Sequence, residues 1–204
     1  MTTLSGSGAS VLIASGAAVS FTNEATTGNA GRTAYAINDA TKRYWDDTAS
    51  FTVQTSPDGS TWTTATAGTY TVQHVGGIIT FGSARAAGTQ VRVSGSYFTT
   101  TTVGQASEWS LQLTLDTTEV STFGSTFKVY LPTKTSATGS VTEWWLDGTF
   151  AALMGSRIIL SLNTGAGRYE GYGYWNKESV KAATGDAISE SLDFTFTGQV
   201  FYNA

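Results

Sequence analysis

Along most of this chain apolar residues alternate with polar ones at a period of two, the spacing of a half-buried strand, far more often than at 3.6, the spacing of an amphipathic helix. In residues 191–197, Leu192, Phe194 and Phe196 share one side, and Ser191, Asp193, Thr195 and Thr197 share the other. Residues 108–116 repeat the pattern, so Trp109, Leu111, Leu113 and Leu115 are expected to face inward and Glu108, Gln112 and Asp116 outward. Further strands are predicted over 51–55, 90–98, 157–162 and 168–175, and over 11–13 and 19–21, which read as a first strand or a short hairpin. Residues 70–75 and 78–81 flank Gly76-Gly77, and a two-glycine loop supplies the positive φ angles of a primed hairpin turn. Ser56, Pro57, Asp58, Gly59 and Ser60 form a turn between 51–55 and a return through Thr61, Trp62 and Thr63.

One segment breaks the rule. Around residues 147–155, Asp147 can cap a helix, Phe150, Leu153 and Met154 recur at helical spacing, and Gly155 can take the left-handed stop. Strands on both sides of it make residues 140–202 the organising region of the chain. There Gly171 and Gly173 share a face and leave a groove for a bulky ring, with Trp144 or Phe150 as the expected occupant. Residues 117–139 lack a clear period and are expected to be a long functional loop.

Composition sharpens this to a class. Aromatics are 12% and charged residues 13% of 204, with 23 glycines and two prolines, which favours strands joined by tight turns over disorder, coiled coil or helix bundle. The expected fold is all-β with one short α-helix. A formal charge of −4 and no basic run argue against a protein that grips nucleic acid by its phosphates. The absence of cysteine excludes disulfides and zinc–thiolate sites. Near the first residues neither the charges of a signal peptide nor the length of a membrane span is found, so no membrane binding by this chain is expected.

The search for chemistry returns no constellation. His74, the single histidine, has no motif carboxylate or nucleophile beside it and reads as a partly buried strand residue. Asp46 and Asp47, and Asp116 with Glu119, lack calcium-loop spacing and read as solvated loop or strand-end charges, as does the charged segment 38–47. Tyr169, Tyr172, Tyr174 and Trp175 would make a sugar-stacking platform only if they faced one way, and strand parity splits them. No phosphate loop, nucleophile elbow or HExxH motif occurs. No enzyme, metal or cofactor is expected.

The order of elements carries more information than any motif. A strand near Val11, the strand 108–116 leading into Thr122-Phe123-Gly124, the long polar segment, a strand into a short helix over 143–155, then 157–162, Tyr169-Glu170-Gly171-Tyr172 and the terminal strand 191–198 form a series. It resembles the major tail tube proteins of long-tailed, siphovirus-type bacteriophages. The resemblance implies a tail-tube-like β-sandwich or barrel core from residues 1–25 and 101–204, with 26–100 as an inserted, outward-facing β subdomain. It implies a virion structural protein, assembled in the host cytoplasm, whose hexameric rings stack into a hollow conduit for DNA delivery. Its partners would be copies of itself, other tail proteins at the tube ends, and DNA in transient, non-specific passage. An acidic wall suits that passage, since carboxylates repel phosphates where lysines would hold them. Asp116, Glu190 and Asp193 are the lumen-facing candidates, although Glu190 shares strand parity with Leu192. Thr117, Glu119, Phe123, Phe127, Lys128, Tyr130 and Lys134 are the candidates for contacts between subunits or rings. Two other readings stay open: a carbohydrate-binding β-sandwich module, and a head decoration or neck protein of the same kind of virion.

Overall fold

The computed structural model describes residues 10–14, 16–103, 106–124, 126–144 and 148–203. In chain order its strands are β1 (Ser10–Ala14), β2 (Val19–Gly28), β3 (Ala34–Ile37), β4 (Thr52–Ser56), β5 (Thr63–Thr64), β6 (Tyr70–Gln73), β7 (Ile78–Phe81), β8 (Gln90–Tyr97), β9 (Thr100–Thr102), β10 (Ala106–Glu119) and β11 (Tyr130–Trp144). The helix α1 (Thr149–Leu153) follows, then β12 (Arg157–Asn163), β13 (Arg168–Lys181), β14 (Ser189–Phe196) and β15 (Phe201–Asn203). The class is the expected one, all-β with one short helix. The described residues divide into two compact units, one of Ser10 and Val11 with those of 102–202 and the other of those of 12–101 with Asn203.

In the unit of residues 12–101 one sheet runs in the order β5-β4-β8-β2-β3-β7-β6. β2 joins its two halves. Its first part pairs with β8, a bulge intervenes between Phe21 and Glu24, and Thr26 to Gly28 then pair with β3. Asn23 takes a positive φ of 56° within that bulge, which bends the strand. Phe21, Tyr35, Ile37, Trp45, Val53, Ile79, Phe81, Val91 and Val93 from both halves close into one core. The residues 11–13 and 19–21 are thus not a hairpin, because β1 and β2 belong to different sheets. The β6–β7 hairpin forms, but Gln73 pairs with Ile78, so its connection is four residues long and His74 lies in it. His74 is half-buried and packs edge-on against Phe51 at 5.6 Å and Trp45 at 6.5 Å.

The other sheet runs β10-β11-β14-β13-β12-β1-β9, with β15 on β13. β14 keeps the predicted alternation without a break: Leu192, Phe194 and Phe196 are buried and Ser191, Asp193 and Thr195 are half-buried. β12 is buried from Ile158 through Leu162, as expected of a strand covered on both faces. Phe194 reaches back over β11 to Gly139, where a Cβ would sit 2.5 Å from its ring and 2.1 Å from the Ser110 carbonyl oxygen. Only glycine fits there. The groove at Gly171 is filled by Phe196, whose ring lies 2.7 Å from where a Cβ would be, rather than by Trp144 or Phe150. Phe150 instead meets the face of Trp175 at 5.9 Å and 86°. α1 is a single turn ending at Gly155, which has a φ of +74°. Asp147, the expected cap, lies outside the described residues.

Candidate assembly surface

The segment expected to be a loop over 117–139 is a β-hairpin. β10 and β11 pair antiparallel from Ala106 with Glu143 to Glu119 with Tyr130, leaving a connection of residues 120–129. Period reading failed here because Thr, Ser, Gly and Lys fill both faces of residues 132–140, so no hydrophobic alternation marks the strand. β14 supports β11 only from Thr138 onward. Beyond that point Leu113 to Glu119 and Tyr130 to Ala137 have no third strand among the described residues, and form a two-stranded ribbon about 24 Å long. A two-stranded ribbon is at best marginally stable in water without further packing.

Its side chains explain what is missing. Leu113 and Leu115 share a face with Trp109 and Leu111, as the alternation predicts, yet they are 54% and 57% exposed. The expectation that all four turn into a core fails at these two because Ala137 and Thr135 lie opposite them, too small to cover a leucine, and among the described residues they stay half or more exposed. Toward the tip Phe123, Phe127, Val129, Tyr130 and Leu131 are exposed as well, Phe127 at 83%. β10 is moreover the end strand of its sheet, so its outer N–H and C=O groups have no strand to pair with among the described residues. A long edge with apolar side chains is a surface that natural proteins leave open only where another chain covers it.

The candidate residues between subunits all fall on this hairpin. Thr117 and Glu119 lie on β10, Tyr130 and Lys134 on β11, and Phe123, Phe127 and Lys128 in the connection. The Lys128 ammonium meets Glu119 Oε2 at 3.0 Å, and the Val129 N–H donates to the Ser121 hydroxyl at 3.0 Å, so the connection has its own hydrogen bonds. Sequence reading missed Leu113 and Leu115. The signal was present in the small, polar composition of the strand opposite them.

The acidic candidates separate. Ser110 and Ser140 touch through their hydroxyls at 2.9 Å, and Asp193 lies opposite Ser140 on β14, which fixes one polar face running from Gln112 and Thr114 to Thr195. Asp193 is on that face, paired with Lys177 at 3.7 Å, and Asp116 is exposed on the same side of β10. Glu190 is on the other face, 1% exposed among core residues, so it is withdrawn from the solvated surface that the lumen role requires. Parity with Leu192, visible in the sequence, decides it.

No platform of aromatic rings forms on β13. Tyr169 packs on Tyr202 at 5.0 Å, Tyr172 lies under the Arg157 guanidinium at 4.0 Å, and Trp175 is buried. An open cavity of about 250 Å³ is lined by Trp144, Lys181, Ala183, Asp186, Ala187 and Ser189. Among the described residues no group of three metal-ligating side chains has the geometry to hold an ion, and no helix is long and apolar enough to cross a membrane.

No family model and no curated protein matches the chain. Among solved structures, a chain of the virion of a native gene transfer agent particle is similar at a TM-score of 0.45 and 13% identity, over 52% of this chain and 89% of that one. A chain from the tail of an empty gene transfer agent particle, solved with C6 symmetry, is similar at 0.45 and 15%, over 53% and 87%. Likeness of this extent assigns no role to the residues above.

Proposed function

We propose that the chain is a structural protein of a phage-like virion, the major tail tube subunit, which assembles with copies of itself into stacked, hexameric rings around a DNA conduit. The observation that carries this reading is the β10–β11 ribbon: an edge strand and a row of apolar side chains that the subunit does not cover. Burying each such leucine or phenylalanine in a neighbour contributes about 1.5–3 kcal/mol before the costs of association, and pairing the β10 edge removes its open hydrogen-bonding groups. The hydroxyl-rich face with Asp116 and Asp193 supports a lumen wall, because hydroxyls and carboxylates do not hold a passing phosphate backbone; of the cations that share the face, Lys177 is partnered by Asp193. In this reading the unit of residues 12–101 is the inserted, outward-facing subdomain and the discontinuous unit is the tube core. Other tail proteins would meet the ends of the stack. Negative-stain electron microscopy of the purified protein tests it: rings and stacked rings are expected, and a protein that stays monomeric at high concentration would overturn it.

A further inference from the structure

Glu190, excluded from the polar face, is placed where a carboxylate is costly. Across the sheet it stands opposite Glu143 of β11 on one side and Val180 of β13 on the other. Glu178, two residues before Val180, stands opposite Leu192 and so shares the same face. Three carboxyl side chains from three adjoining strands thus meet on the core side of one sheet end. Glu190 is 1% and Glu143 5% exposed, and Glu178 is half-buried.

Neither carboxyl oxygen of Glu190 receives a hydrogen bond. The charged groups that act on it are Glu178 and Glu143, and an ionised carboxylate has no hydrogen to give. Among the described residues, the lysines of β13 nearest to Glu190 are on the other face. Lys177 faces Asp193, and Lys181 stands opposite Ser189 beside Trp144 and Asp186. On β10, Glu108 lies opposite Thr142 and belongs to that other face too.

We propose that Glu143, Glu178 and Glu190 form a clasp closed by a proton: Glu190 is held as the carboxylic acid, gives its O–H to the carboxylate of Glu143 or Glu178, and thereby ties β14 to that neighbouring strand until ionisation opens it. One proton turns one of the two orphaned oxygens into a donor with a carboxylate to receive it, and an O–H···O⁻ bond is among the strong ones. Without it, an ionised Glu190 would be buried beside Glu178 and Glu143, both of which oppose its charge. Burial first, then Glu178 and Glu143, push the Glu190 carboxyl up to about 7. A folded value raised above the unfolded one makes the clasp's stabilisation complete below about 4.5 and lost as pH rises through about 7. This device needs only the single subunit and stands whether or not the chain builds a tube.

Thermal unfolding of the full chain between pH 5 and pH 8.5, for wild type and Glu190→Gln, tests the clasp. The amide is neutral throughout, so the wild-type Tm is expected to fall relative to the variant by about 5 °C or more across that range. Parallel pH profiles of the two proteins would overturn the proposal. Should the variant fail to fold, carbon-13 NMR titration of the wild-type glutamate carboxyls decides: one titrating between about pH 6 and 8 supports the clasp, and all titrating below about pH 5.5 overturns it.

Discussion

The two units treat their apolar side chains in opposite ways. In residues 12–101 the large hydrophobic residues close on one another around Trp45, and Val19 is the single exposed one among the described residues. In the other unit Leu113, Leu115, Phe123, Phe127, Tyr130, Leu131 and several more are left in solvent. Both are antiparallel sheets of similar length and composition. What separates them is closure: β2 bends at its bulge and lets one sheet cover itself, whereas β10 and β11 run on past the end of β14. A unit that covers its own apolar side chains leaves a neighbour little to bury, and a ribbon with uncovered leucines on a bare edge leaves it much.

The largest effect is therefore expected from the ribbon, and on association rather than folding. Leu113→Lys with Leu115→Lys should abolish assembly while moving subunit stability by no more than about 0.5 kcal/mol, since both side chains are already in water. Sedimentation and chemical denaturation of the double variant measure the two quantities. Wild-type assembly would break the contrast between the units, and a large loss of stability would mean that the leucines are covered within the subunit.

How much of this could be read from the sequence follows the same line. β14 and the core of β8 were legible because a buried face forces strict alternation, β12 because a strand buried on both faces reads as an apolar run, and the parity of Glu190 with Leu192 already contradicted its lumen role. β11 was not legible, because a strand whose exposed half packs against nothing has no reason to alternate. The Asp147 cap stays undecided with its residue. The boundary near Leu12 was hidden for another reason: β2 joins its sheet by pairing with β8, some seventy residues away, and only register reveals such a partner. Glu143 and Glu178 were passed over because each is ordinary alone, and three strands must be aligned before they meet.

A smaller, purely local effect is expected in the self-contained unit. Trp45 is fully buried, with Phe51 at 4.7 Å and Phe21 at 6.2 Å, so Trp45→Ala should cost about 3–5 kcal/mol. If each unit is its own cooperative block, calorimetry will show one transition falling and a second nearly unmoved. A single transition that falls as a whole would show that the units unfold together, and would erase the distinction drawn between them.

The smallest effect concerns a turn in that same unit, and its sign with pH can be worked out. Asp58 Oδ1 accepts from the Ser60 and Thr61 N–H groups at 2.9 Å each and from the Ser56 hydroxyl at 2.9 Å, while Gly59, at a φ of +76°, turns the chain back toward β5. The two backbone N–H donors first, then Ser60 and Ser56, hold the Asp58 carboxyl well below its ordinary value of 3.8. A depressed folded value means that the ionised form favours the folded turn. Its contribution is present above the unfolded value and is lost as pH falls. The melting temperature of Asp58→Ala should accordingly lie below that of the wild type at pH 6, by a margin that solvent keeps small, and the gap should begin to close below about pH 4. A gap that stayed constant down to pH 2 would show that the carboxylate charge plays no part in the turn, leaving the positive φ of Gly59 and the pairing of β4 with β5 to hold it.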